Sequence, residues 1–595
     1  SRACTEAFSH ALLTLGHADS FLAPAPKLFT RADSGFNHAM LSKAYDVIIV
    51  GAGTSGSLLS RNLSKSGLKT LLLEAGPSNL VTPSAISRAW IHVPIGYLYT
   101  LKKSYGVSYG YKTTINTSST ARTIEYPRGR TLGGCSSING MIYQMGNMGD
   151  YDGWNVSNWK SEDMRRAFEG IQATGLWPCE KQRLSWEILD DFGRAVTEKR
   201  GLDLSSKLIS SEAEGVGYFN VNQRGGLRVS AFQAFVDPRY VAVKDEKVRT
   251  YNRGFLHVVT GSVVKGLAFG ERTGGVETIE GVDCWEESGG AVDERNPHRY
   301  RLNPGGEVIL AAGAVSSPHI LMASGVGCGT SEQRVDVEGV GRNLSDHYQI
   351  RQVYRLKSGR SLNPIANSLL GRAAIGAEYG LFRTGPLSMA PSQLGAFLKS
   401  DPSLAYPDLQ WHVQPLSLDK FGDEKLHSFP GMTAASCNLR PTSRGSIKLS
   451  GGSKDIRDPP VIDCNFLDTD LDRSVAAKGM RITRDLVLGS DSMRKYEPVE
   501  HFPGMDYASD DELAESAKVH GSTIFHPVGT CKMGDGSDGV VDSHLRVRNV
   551  KGLRVCDASI MPSLSSGNTN TPTLAIAQNF SRIFLDEKGL KIKEG

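Results

Sequence analysis

The feature that most constrains the fold of this chain is a glycine-rich turn near residue 50, between a strand-like run and a helical segment. Residues 47–50 are apolar and β-branched, which is typical of a strand buried on both faces. Gly51, Gly53 and Gly56 then follow in the spacing GxGxxG. Such glycines permit a tight turn, a close approach of the backbone to a diphosphate, and close packing of the helix on the strand. The pattern predicts a βαβ unit that binds a dinucleotide.

The residues after the turn support the same prediction. The helix N-terminus at Thr54 and Ser55 would hold the diphosphate, because its free N–H groups and its dipole favour an anion. A second apolar run ends at Glu74 and Ala75, about 20 residues after the glycines, where an acidic residue is expected to meet a ribose hydroxyl. The glycines alone could mark an ordinary turn. The strand, helix, second strand and glutamate together favour dinucleotide binding.

Two polar segments near the other end of the chain carry groups that could do chemistry beside this cradle. They are FHPVGTCKMGDG at 525–536 and GLRVCDASIMPSLSSGNTNTPTLAIA at 552–577. A fold that brings both ends of a long chain to one cofactor is uncommon. The combination indicates a flavoenzyme.

Three further stretches resemble the signatures of the glucose-methanol-choline (GMC) oxidoreductase family. They are YPRGRTLGGCSSINGMIYQMGN at 126–147, GAVSSPHILMASGVG at 313–327 and VGRNLSDH at 340–347. The resemblance covers nearly the whole chain from about residue 44 to 588, and within the family it favours the choline-dehydrogenase-like branch. It implies an enzyme that binds FAD and oxidises an alcohol.

The resemblance also implies which residues hold FAD. It places Asn139 and Gly140 near the reactive edge of the isoalloxazine. It also implies that residues 256–264 form a strand pair whose backbone contacts the adenine at Val263 or Val264. Some members attach FAD covalently through a histidine, whereas this chain has Ile138 at that position, so we predict non-covalent FAD. The predicted cofactor-binding residues are Gly51, Gly53, Thr54, Ser55, Gly56, Glu74, Ala75, Arg128, Leu132, Gly133, Gly134, Ser136, Asn139, Gly140, Met141, Val263, Ala312, Asp557, Ala558, Asn568 and Thr569.

Catalysis is predicted at His526 and Asn568. The resemblance implies that a histidine from HPVGTCKMG and a second His or Asn from SGNTNTPT face the flavin N5 together, and these two residues hold those positions. An imidazole has a reference pKa of ~6.5, so it can accept a hydroxyl proton near neutral pH while the α-hydrogen leaves as hydride. Asn568 would hydrogen-bond and orient the substrate oxygen. We interpret Asn570 as structural and His520 as a helix-end or supporting histidine.

Two other reactions on the same scaffold are alternatives. The sequence also resembles the fatty acid photodecarboxylases of algae, which need a cysteine and an arginine at positions that here hold Ser392 and His412. Those enzymes lack a histidine matching His526. A hydroxynitrile lyase would keep FAD without reducing it, and would need two histidines in place of the His/Asn pair. These departures favour alcohol oxidation.

The predicted fold class is α/β, with a Rossmann-like FAD-binding domain and an interleaved α+β substrate domain built on an antiparallel sheet. Residues 409–415 and 432–450 are predicted as strands of that sheet, with PTSRG at 441–445 as a turn and 416–431 as a solvated loop or lid. The expected pieces are an N-terminal extension at 1–43, FAD-binding parts at 44–155, 215–345 and 505–590, a cap region at 156–214, and the substrate domain at 346–504.

Charge and hydropathy limit the classes of partner. The chain has 67 basic and 63 acidic residues, and its net charge of +4 is too small to indicate a nucleic-acid partner. It lacks an uninterrupted apolar run of about 18 residues, so we predict no transmembrane anchor. The expected partners are a small-molecule alcohol and an electron acceptor, which is oxygen or another carrier. Trp411 with nearby carboxylates could cradle choline, whereas other primary alcohols need no such cradle.

Cysteine usage and the first residues bear on metal binding and location. The nine cysteines lack paired spacing, which favours free thiols, and no metal-ligand spacing is present, so no metal is expected. The first 43 residues lack the long apolar core of a secretory signal. Organellar (plastid or mitochondrial) and cytoplasmic locations both stay open.

Overall fold

The computed structural model describes residues 44–76, 90–116, 121–205, 208, 210–237, 248–288, 291–327, 333–419 and 425–592. The N-terminal extension at 1–43 lies outside them. The described strands are β1 Tyr45–Val50, β2 Thr70–Glu74, β3 Tyr111–Asn116, β4 Ala121–Tyr126, β5 Glu180–Lys181, β6 Leu204–Ser205, β7 Gly215–Tyr218, β8 Asn220–Val221, β9 Gln223–Arg224, β10 Leu227–Arg228, β11 Val248–Tyr251, β12 Leu256–Thr260, β13 Ser262–Phe269, β14 Glu277–Ser288, β15 Ala291–Leu310, β16 Tyr348–Arg355, β17 Leu394–Leu398, β18 Leu409–Gln414, β19 Gly431–Asn438, β20 Ser446–Lys448, β21 Val461–Asp463, β22 Val499–Phe502, β23 Ser522–Thr523, β24 Val550–Lys551 and β25 Leu553–Val555.

The helices of the described residues are α1 Thr54–Lys65, α2 Tyr97–Thr100, α3 Met148–Gly153, α4 Ser161–Ala173, α5 Glu187–Arg200, α6 Ala231–Phe235, α7 Gly313–Ala323, α8 Leu362–Asn367, α9 Leu369–Phe382, α10 Asp470–Leu488, α11 Asp491–Arg494, α12 Asp510–His520 and α13 Asn570–Glu587. Short 3-10 turns lie at Pro94–Gly96, Lys103–Tyr105, Gly134–Ser137, Asn252–Gly254, Pro386–Ser388, Ser450–Gly452 and Ala558–Ile560. Each of these helices is too short or too polar to span a bilayer.

Nine strands form the mixed sheet that carries the glycine-rich turn. Its order is β11-β12-β2-β1-β15-β14-β13, with β25 added to β15 and β24 to β14. Strand β1 pairs in parallel with β2 and with β15, and β12 pairs in parallel with β2. Strands β1 and β2 are buried almost throughout, as their continuous apolar runs predict.

The turn after β1 requires its glycines. Gly51 has a φ of +102°, and a Cβ there would lie 2.6 Å from the carbonyl oxygen of Ala311. A Cβ on Gly56 would lie 2.0 Å from the carbonyl oxygen of Gly51. Because only glycine avoids both contacts, these positions let α1 pack closely on the end of β1.

Helix α13 explains how the two ends of the chain meet. It packs against α1, and most of its residues are buried. The Asn62 side chain on α1 donates to Gln578 Oε1 at 2.9 Å and to Ser581 Oγ at 3.2 Å. Since Asn568 lies just before α13, this packing brings the C-terminal segment to the glycine-rich turn.

The second large sheet is built almost wholly from antiparallel pairs. Its order is β22-β16-β19-β18-β17-β7-β6, with β23 beside β16, and β6 with β7 is its parallel pair. Helix α10 packs on this sheet. Trp411 on β18 is fully buried, and its Nε1 donates to Thr483 Oγ1 on α10 at 2.8 Å. The predicted α/β class with an antiparallel second sheet is confirmed.

Several strands belong to other sheets than the sequence predicts. Strand β7 joins the antiparallel sheet, although the prediction starts an FAD-binding part at residue 215. Residues 432–450 form strands on both sides of the predicted PTSRG turn, but only β19 joins the antiparallel sheet, because β20 pairs with β21 in a separate four-stranded sheet with β3 and β4. The sequence of a short apolar strand is compatible with many partners, so tertiary packing decides which partner it takes.

The predicted strand pair at 256–264 is a further difference. Strand β12 pairs with β2 and β11, whereas β13 pairs with β14 near the other end of the same sheet. The two strands therefore follow each other in the chain without pairing to each other. Gly261 between them has a φ of +66°, which allows the turn that separates them.

Candidate active site

A cavity of about 690 Å³ lies where the two large sheets come together. Val50 and Glu74 line it from the carboxyl ends of β1 and β2, and Gln349 and His412 line it from the antiparallel sheet. Crevices at the carboxyl ends of parallel strands are the usual place for a dinucleotide in such folds. Its volume is within the usual range for ligand and cofactor sites in proteins.

Most of the predicted cofactor-binding residues line this cavity. They are Gly51, Gly53, Thr54, Ser55, Glu74, Ala75, Arg128, Gly134, Asn139, Gly140, Met141, Val263, Ala312, Asp557, Ala558, Asn568 and Thr569. Four others, Gly56, Leu132, Gly133 and Ser136, are absent from the lining. They lie behind it: Gly56 packs α1 on its turn, and Ser136 Oγ accepts the backbone N–H of Ala231 at 2.8 Å.

The wall beside α1 is made of backbone, and it fits a diphosphate. A Cβ on Gly134 would lie 2.7 Å from Gly53 Cα, so any side chain there would close the gap between the two loops. A Cβ on Gly53 would touch protein only at 4.0 Å and would otherwise occupy the cavity. No side chain caps the N-terminus of α1, so its first N–H groups stay available to an anion.

Glu74 has the position expected for a ribose partner. Its carboxylate accepts the N–H of Ala52 at 3.0 Å and the N–H of Gly76 at 2.8 Å. Burial raises the pKa of Glu74 to about 7, while these two hydrogen bonds and nearby Arg130 act in the opposite direction. A carboxylate has about four acceptor positions, so two backbone donors leave Glu74, which lines the cavity, able to accept a ribose hydroxyl as well.

His526 and Asn568 face each other at the other end of the cavity. Asn568 Nδ2 lies 3.2 Å from His526 Nε2, and both residues line the cavity. On its far side, His526 Nδ1 lies 2.9 Å from His347 Nδ1. His347 Nε2 in turn lies 3.3 Å from the carbonyl oxygen of Leu439. The histidine predicted to be the base therefore stands in a chain of four hydrogen-bonded groups.

This chain of hydrogen bonds selects one tautomer for each histidine. The Leu439 carbonyl can only accept, so the proton of neutral His347 is on Nε2 and its Nδ1 is an acceptor. His526 must then donate to it from Nδ1–H. The remaining nitrogen, His526 Nε2, is unprotonated and accepts from the Asn568 amide. The basic nitrogen of His526 is thus the one that faces the cavity.

The backbone of His526 is held as firmly as its ring. Asp346 Oδ1 accepts the His526 backbone N–H at 2.7 Å, and Asp346 Oδ2 accepts hydroxyls of Tyr126 and Thr523 at 2.6 Å each. The preceding residue, Phe525, has a φ of +68°, an unusual value for a bulky side chain. A backbone conformation of this kind persists only where its surroundings impose it.

Burial keeps the histidines near this site neutral. It lowers the pKa of His526 well below its ordinary value, and His347, His412 and Arg128 act in the same direction. Burial also lowers the pKa of His347 to about 3 and that of His412 to about 4. At neutral pH each ring consequently has one donor and one acceptor nitrogen, as the hydrogen-bond chain requires.

Several buried polar atoms in the cavity wall have no hydrogen-bond partner among the described residues. They are Ser262 Oγ, His412 Nε2, Asn568 Oδ1 and Asn570 Nδ2. Leaving such an atom unpaired costs about 1–3 kcal/mol. Each of these atoms belongs to a residue that lines the cavity, so the wall contains polar groups that the described protein leaves unpaired.

Three of the groups just described were not assigned to the site by the sequence. His347 ends the VGRNLSDH stretch, which is the signal that could have identified it. Asn570, which we interpret as structural from sequence, lines the cavity and accepts from Thr54 Oγ1 at 2.7 Å. Ser262 had no sequence signal, because a serine at the start of a strand is common.

Trp411 is excluded from substrate contact in this structure. It is fully buried between β18 and α10, and it is not part of the cavity wall. The prediction that it could cradle a quaternary ammonium is therefore wrong for this cavity. Its neighbour His412 points to the opposite face of the strand, because successive side chains of a strand alternate, and it does line the cavity.

Among the residues the structure describes, no group of three or more His, Cys, Asp and Glu side chains could hold a metal ion.

Comparison with known proteins gives the same family that the sequence motifs indicate. The sequence model of GMC oxidoreductase matches residues 45–349 with its N-terminal part and residues 441–577 with its C-terminal part. The alcohol dehydrogenase [acceptor] of Pseudomonas putida is 32% identical over 566 residues, covering 91% of this chain and 96% of that protein. The oxygen-dependent choline dehydrogenase of Pseudomonas fluorescens (strain SBW25) is 31% identical over 568 residues, covering 91% and 94%.

Solved structures show the same fold. A formate oxidase variant of Aspergillus oryzae superposes with a TM-score of 0.79 at 23% identity, covering 92% of this chain and 99% of that one. Pyridoxine 4-oxidase from Mesorbium loti superposes with a TM-score of 0.73 at 25% identity, covering 90% and 98%. The nucleotide-binding half and the antiparallel half of this chain are thus both shared with known oxidases.

Proposed function

This chain belongs to the GMC oxidoreductase family of FAD-dependent enzymes, and on that basis we propose that it oxidises the CH–OH group of a small alcohol with His526 as general base. The observation that carries the proposal is the unprotonated Nε2 of His526, which faces the cavity beside the Asn568 amide. A base and a hydrogen-bond donor side by side are what removal of a hydroxyl proton requires.

The residues of the cavity wall fit FAD. The diphosphate would lie on the N-terminus of α1 between Gly53 and Gly134, and a ribose hydroxyl on Glu74. FAD, when bound, supplies the acceptor for the hydride that leaves the alcohol carbon. We propose that FAD is held without a covalent bond, because Ile138 lines the wall where some family members have a histidine.

The proton transfer follows from the tautomers. When the alcohol binds, its hydroxyl replaces the Asn568 amide as the donor to the single lone pair of His526 Nε2. The hydroxyl proton then passes to that nitrogen as the hydride leaves the carbon atom that bears the hydroxyl. Asn568 Nδ2–H donates to the substrate oxygen, where negative charge develops. His347 keeps its acceptor nitrogen toward His526 Nδ1–H throughout, so the ring cannot turn its protonated nitrogen to the substrate.

The charge of the wall favours an uncharged alcohol over choline. The acidic residues of the described lining are Glu74, Glu287 and Asp557. Each one is already engaged: Glu74 by two backbone N–H groups, Glu287 by Arg130, and Asp557 by Gly313 N–H and Ser317 Oγ. Near His526 the lining offers the neutral His412 and the cation Arg128, which donates to the carbonyl oxygen of Phe525. A quaternary ammonium would find no free carboxylate there.

Anaerobic absorbance of the purified, FAD-loaded protein tests this proposal. In the dark, the protein is mixed with uncharged aliphatic and aromatic primary alcohols and with choline. Bleaching of the oxidised-flavin band by an uncharged alcohol, and not by choline, is the expected result. A yellow protein that no alcohol bleaches would contradict the proposal and favour the light-driven decarboxylase or the lyase alternative.

A further inference from the structure

One helix of the antiparallel half exposes an apolar surface that the proposed reaction does not use. Helix α9 has the sequence LLGRAAIGAEYGLF, and only Ile375 and Tyr379 in it are buried. The four most exposed large hydrophobic side chains of the described residues all lie at its ends: Leu369 at 72%, Leu370 at 86%, Leu381 at 67% and Phe382 at 64%. The helix also carries two exposed charged residues, Arg372 and Glu378, but large hydrophobic side chains exposed to this degree are normally covered by protein or by lipid.

The inner side of α9 is firmly packed, so its outer side is a formed surface. Ile375 belongs to a buried apolar cluster that also contains Leu362, Met389 and Leu418. Tyr379 OH donates to the carbonyl oxygen of Gly226 at 2.9 Å. The helix is also capped at its N-terminus, where Ser368 Oγ accepts the Gly371 N–H at 2.9 Å. The exposed side chains are therefore presented by a rigid element.

The outer side between the two ends is also apolar. Ala373, Ala374 and Ala377 are exposed there and add no bulk or charge. A helix of 14 residues is about 21 Å long at ~1.5 Å per residue, so the large side chains form two contacts separated by a flat strip. Such a shape suits a planar surface better than a narrow groove.

The charge around α9 distinguishes between the possible partners. Pro94–Gly96 and Pro386–Ser388 contact each other beside the helix, so segments 94–106 and 360–392 form one region. These two segments contain one acidic residue, Glu378, whose carboxylate accepts from Thr384 Oγ1 at 3.1 Å. On neighbouring segments, Glu180 accepts the Gly225 N–H and Asp419 pairs with His427. The basic residues of this region are Lys102, Lys103, Arg360, Arg372 and Arg383.

A second copy of the chain would bring these cations face to face, because a two-fold interface places the same patch on both partners. An anionic lipid surface supplies the opposite charge, and exposed Leu and Phe beside Lys and Arg are typical of helices that lie in a membrane interface. We propose that α9 docks this protein on the surface of a bilayer that contains anionic lipid, with Leu369, Leu370, Leu381 and Phe382 in contact with the headgroup region.

Docking would place the substrate cavity close to the membrane. Ile95 packs against the cluster under α9, and Tyr97, two residues later, lines the cavity. If the proposed alcohol oxidation is right, alcohols dissolved in the bilayer would therefore meet the protein near its cavity wall. Membrane binding is measured without any alcohol, so failure of this inference and failure of the proposed reaction are separate results.

Vesicle flotation tests the inference. The full-length, FAD-loaded protein is mixed with vesicles of phosphatidylcholine alone, or of phosphatidylcholine and phosphatidylglycerol in equal amounts. We expect the protein to float with the mixed vesicles and to bind the neutral ones about tenfold less. No flotation with either vesicle would overturn the proposal.

Two sets of variants assign the binding to α9. Replacing Leu369, Leu370, Leu381 and Phe382 together by serine should lower the bound fraction at least about tenfold, and Leu370→Ser alone should lower it less. The matched control is Leu471→Ser with Met505→Ser, which removes two hydrophobic side chains that are each 56% exposed elsewhere. An unchanged bound fraction in the quadruple variant, with its flavin spectrum intact, would overturn the assignment.

Light scattering after gel filtration distinguishes a lipid surface from a second copy of the chain as the partner of α9. A wild-type dimer that the quadruple variant converts to a monomer would make α9 an interface between copies, against the proposal. Vesicle binding that appears only after residues 1–43 are deleted would mean that this segment covers α9 in the intact chain, and it would also overturn the proposal.

Arg372→Gln with Arg383→Gln should reduce the preference for phosphatidylglycerol severalfold, and an unchanged preference would contradict the charge argument.

Discussion

The two ends of the cavity are built from different kinds of group. At the end beside α1, the wall is backbone, and Gly53 and Gly134 leave space that any side chain would fill. At the other end, the wall is made of side chains, among them His526, Asn568 and His412. Where the wall is backbone, an added side chain would fill the space that a ligand needs. Where the wall is made of side chains, removing one functional group would remove its chemistry. The comparison predicts that variants at the first end lose FAD and variants at the second end lose chemistry.

Gly53→Val should have the largest effect. Its Cβ meets protein only at 4.0 Å, so the chain should fold, but the side chain would occupy the space of the diphosphate. We expect a colourless protein without activity, checked by visible absorbance and circular dichroism. Gly153→Val is the matched control, because a Cβ there meets nothing within 4 Å and Gly153 is not in the cavity wall. A yellow, fully loaded Gly53→Val protein would contradict the cradle assignment.

His526→Ala should give the next largest effect, at the other end. The protein should keep its FAD and lose alcohol-driven flavin reduction by about 10²–10⁴-fold, which is the usual contribution of a general base. Stopped-flow absorbance under anaerobic conditions measures the loss. His520→Ala is the control, since His520 lies on α12 outside the cavity wall. Normal reduction in His526→Ala would remove this residue from the mechanism.

Asn568→Ala should leave the protein yellow and slow the reduction by about 10²–10³-fold, because one donor to the developing negative charge is lost. The same stopped-flow assay applies. Asn568→His should recover part of the rate, since an imidazole can also donate to the substrate oxygen. Equal rates in both variants would show that donation by this residue is not what the reaction needs.

His347 offers a sharper test of the side-chain wall, because it lies behind His526 and outside the cavity lining. His347→Phe removes the acceptor that selects the His526 tautomer, and we expect the reduction rate to fall roughly tenfold or more with FAD retained. His347→Gln should recover much of it, since its amide can accept from His526 and donate to Leu439. If the Gln and Phe variants lose rate equally, His347 acts only by filling space.

The pH dependence should be the smallest effect. His526 must be unprotonated to act, and its pKa is held well below 6.5 by burial and by the nearby His347, His412 and Arg128. The reduction rate should therefore change less than about twofold between roughly pH 6 and 8, and fall only in more acidic solution. A rate that doubles repeatedly as the pH rises through 6.5 would show that the ring titrates at its ordinary value.

The predictions from sequence that succeeded came from residue spacing within single segments of the chain. The glycine-rich turn and its α/β sheet follow from a pattern of about thirty residues, because strand, turn and helix are local structures. The GMC signatures predicted the family and FAD, which the comparisons confirm. They also identified His526 and Asn568, and the structure places these two side chains 3.2 Å apart. Their roles in catalysis stay predictions.

The sequence by itself therefore determined the fold class and the family, and most of the cofactor-binding residues that it predicted line the cavity. Only the tertiary structure decided that β12 and β13 lie apart, that Trp411 is turned away from the cavity and that His347 sets the tautomer of His526. It also decided that α9 exposes its leucines. The physical reason is that each of these depends on which distant segments pack together, and neighbours far apart in the chain leave no local spacing to detect.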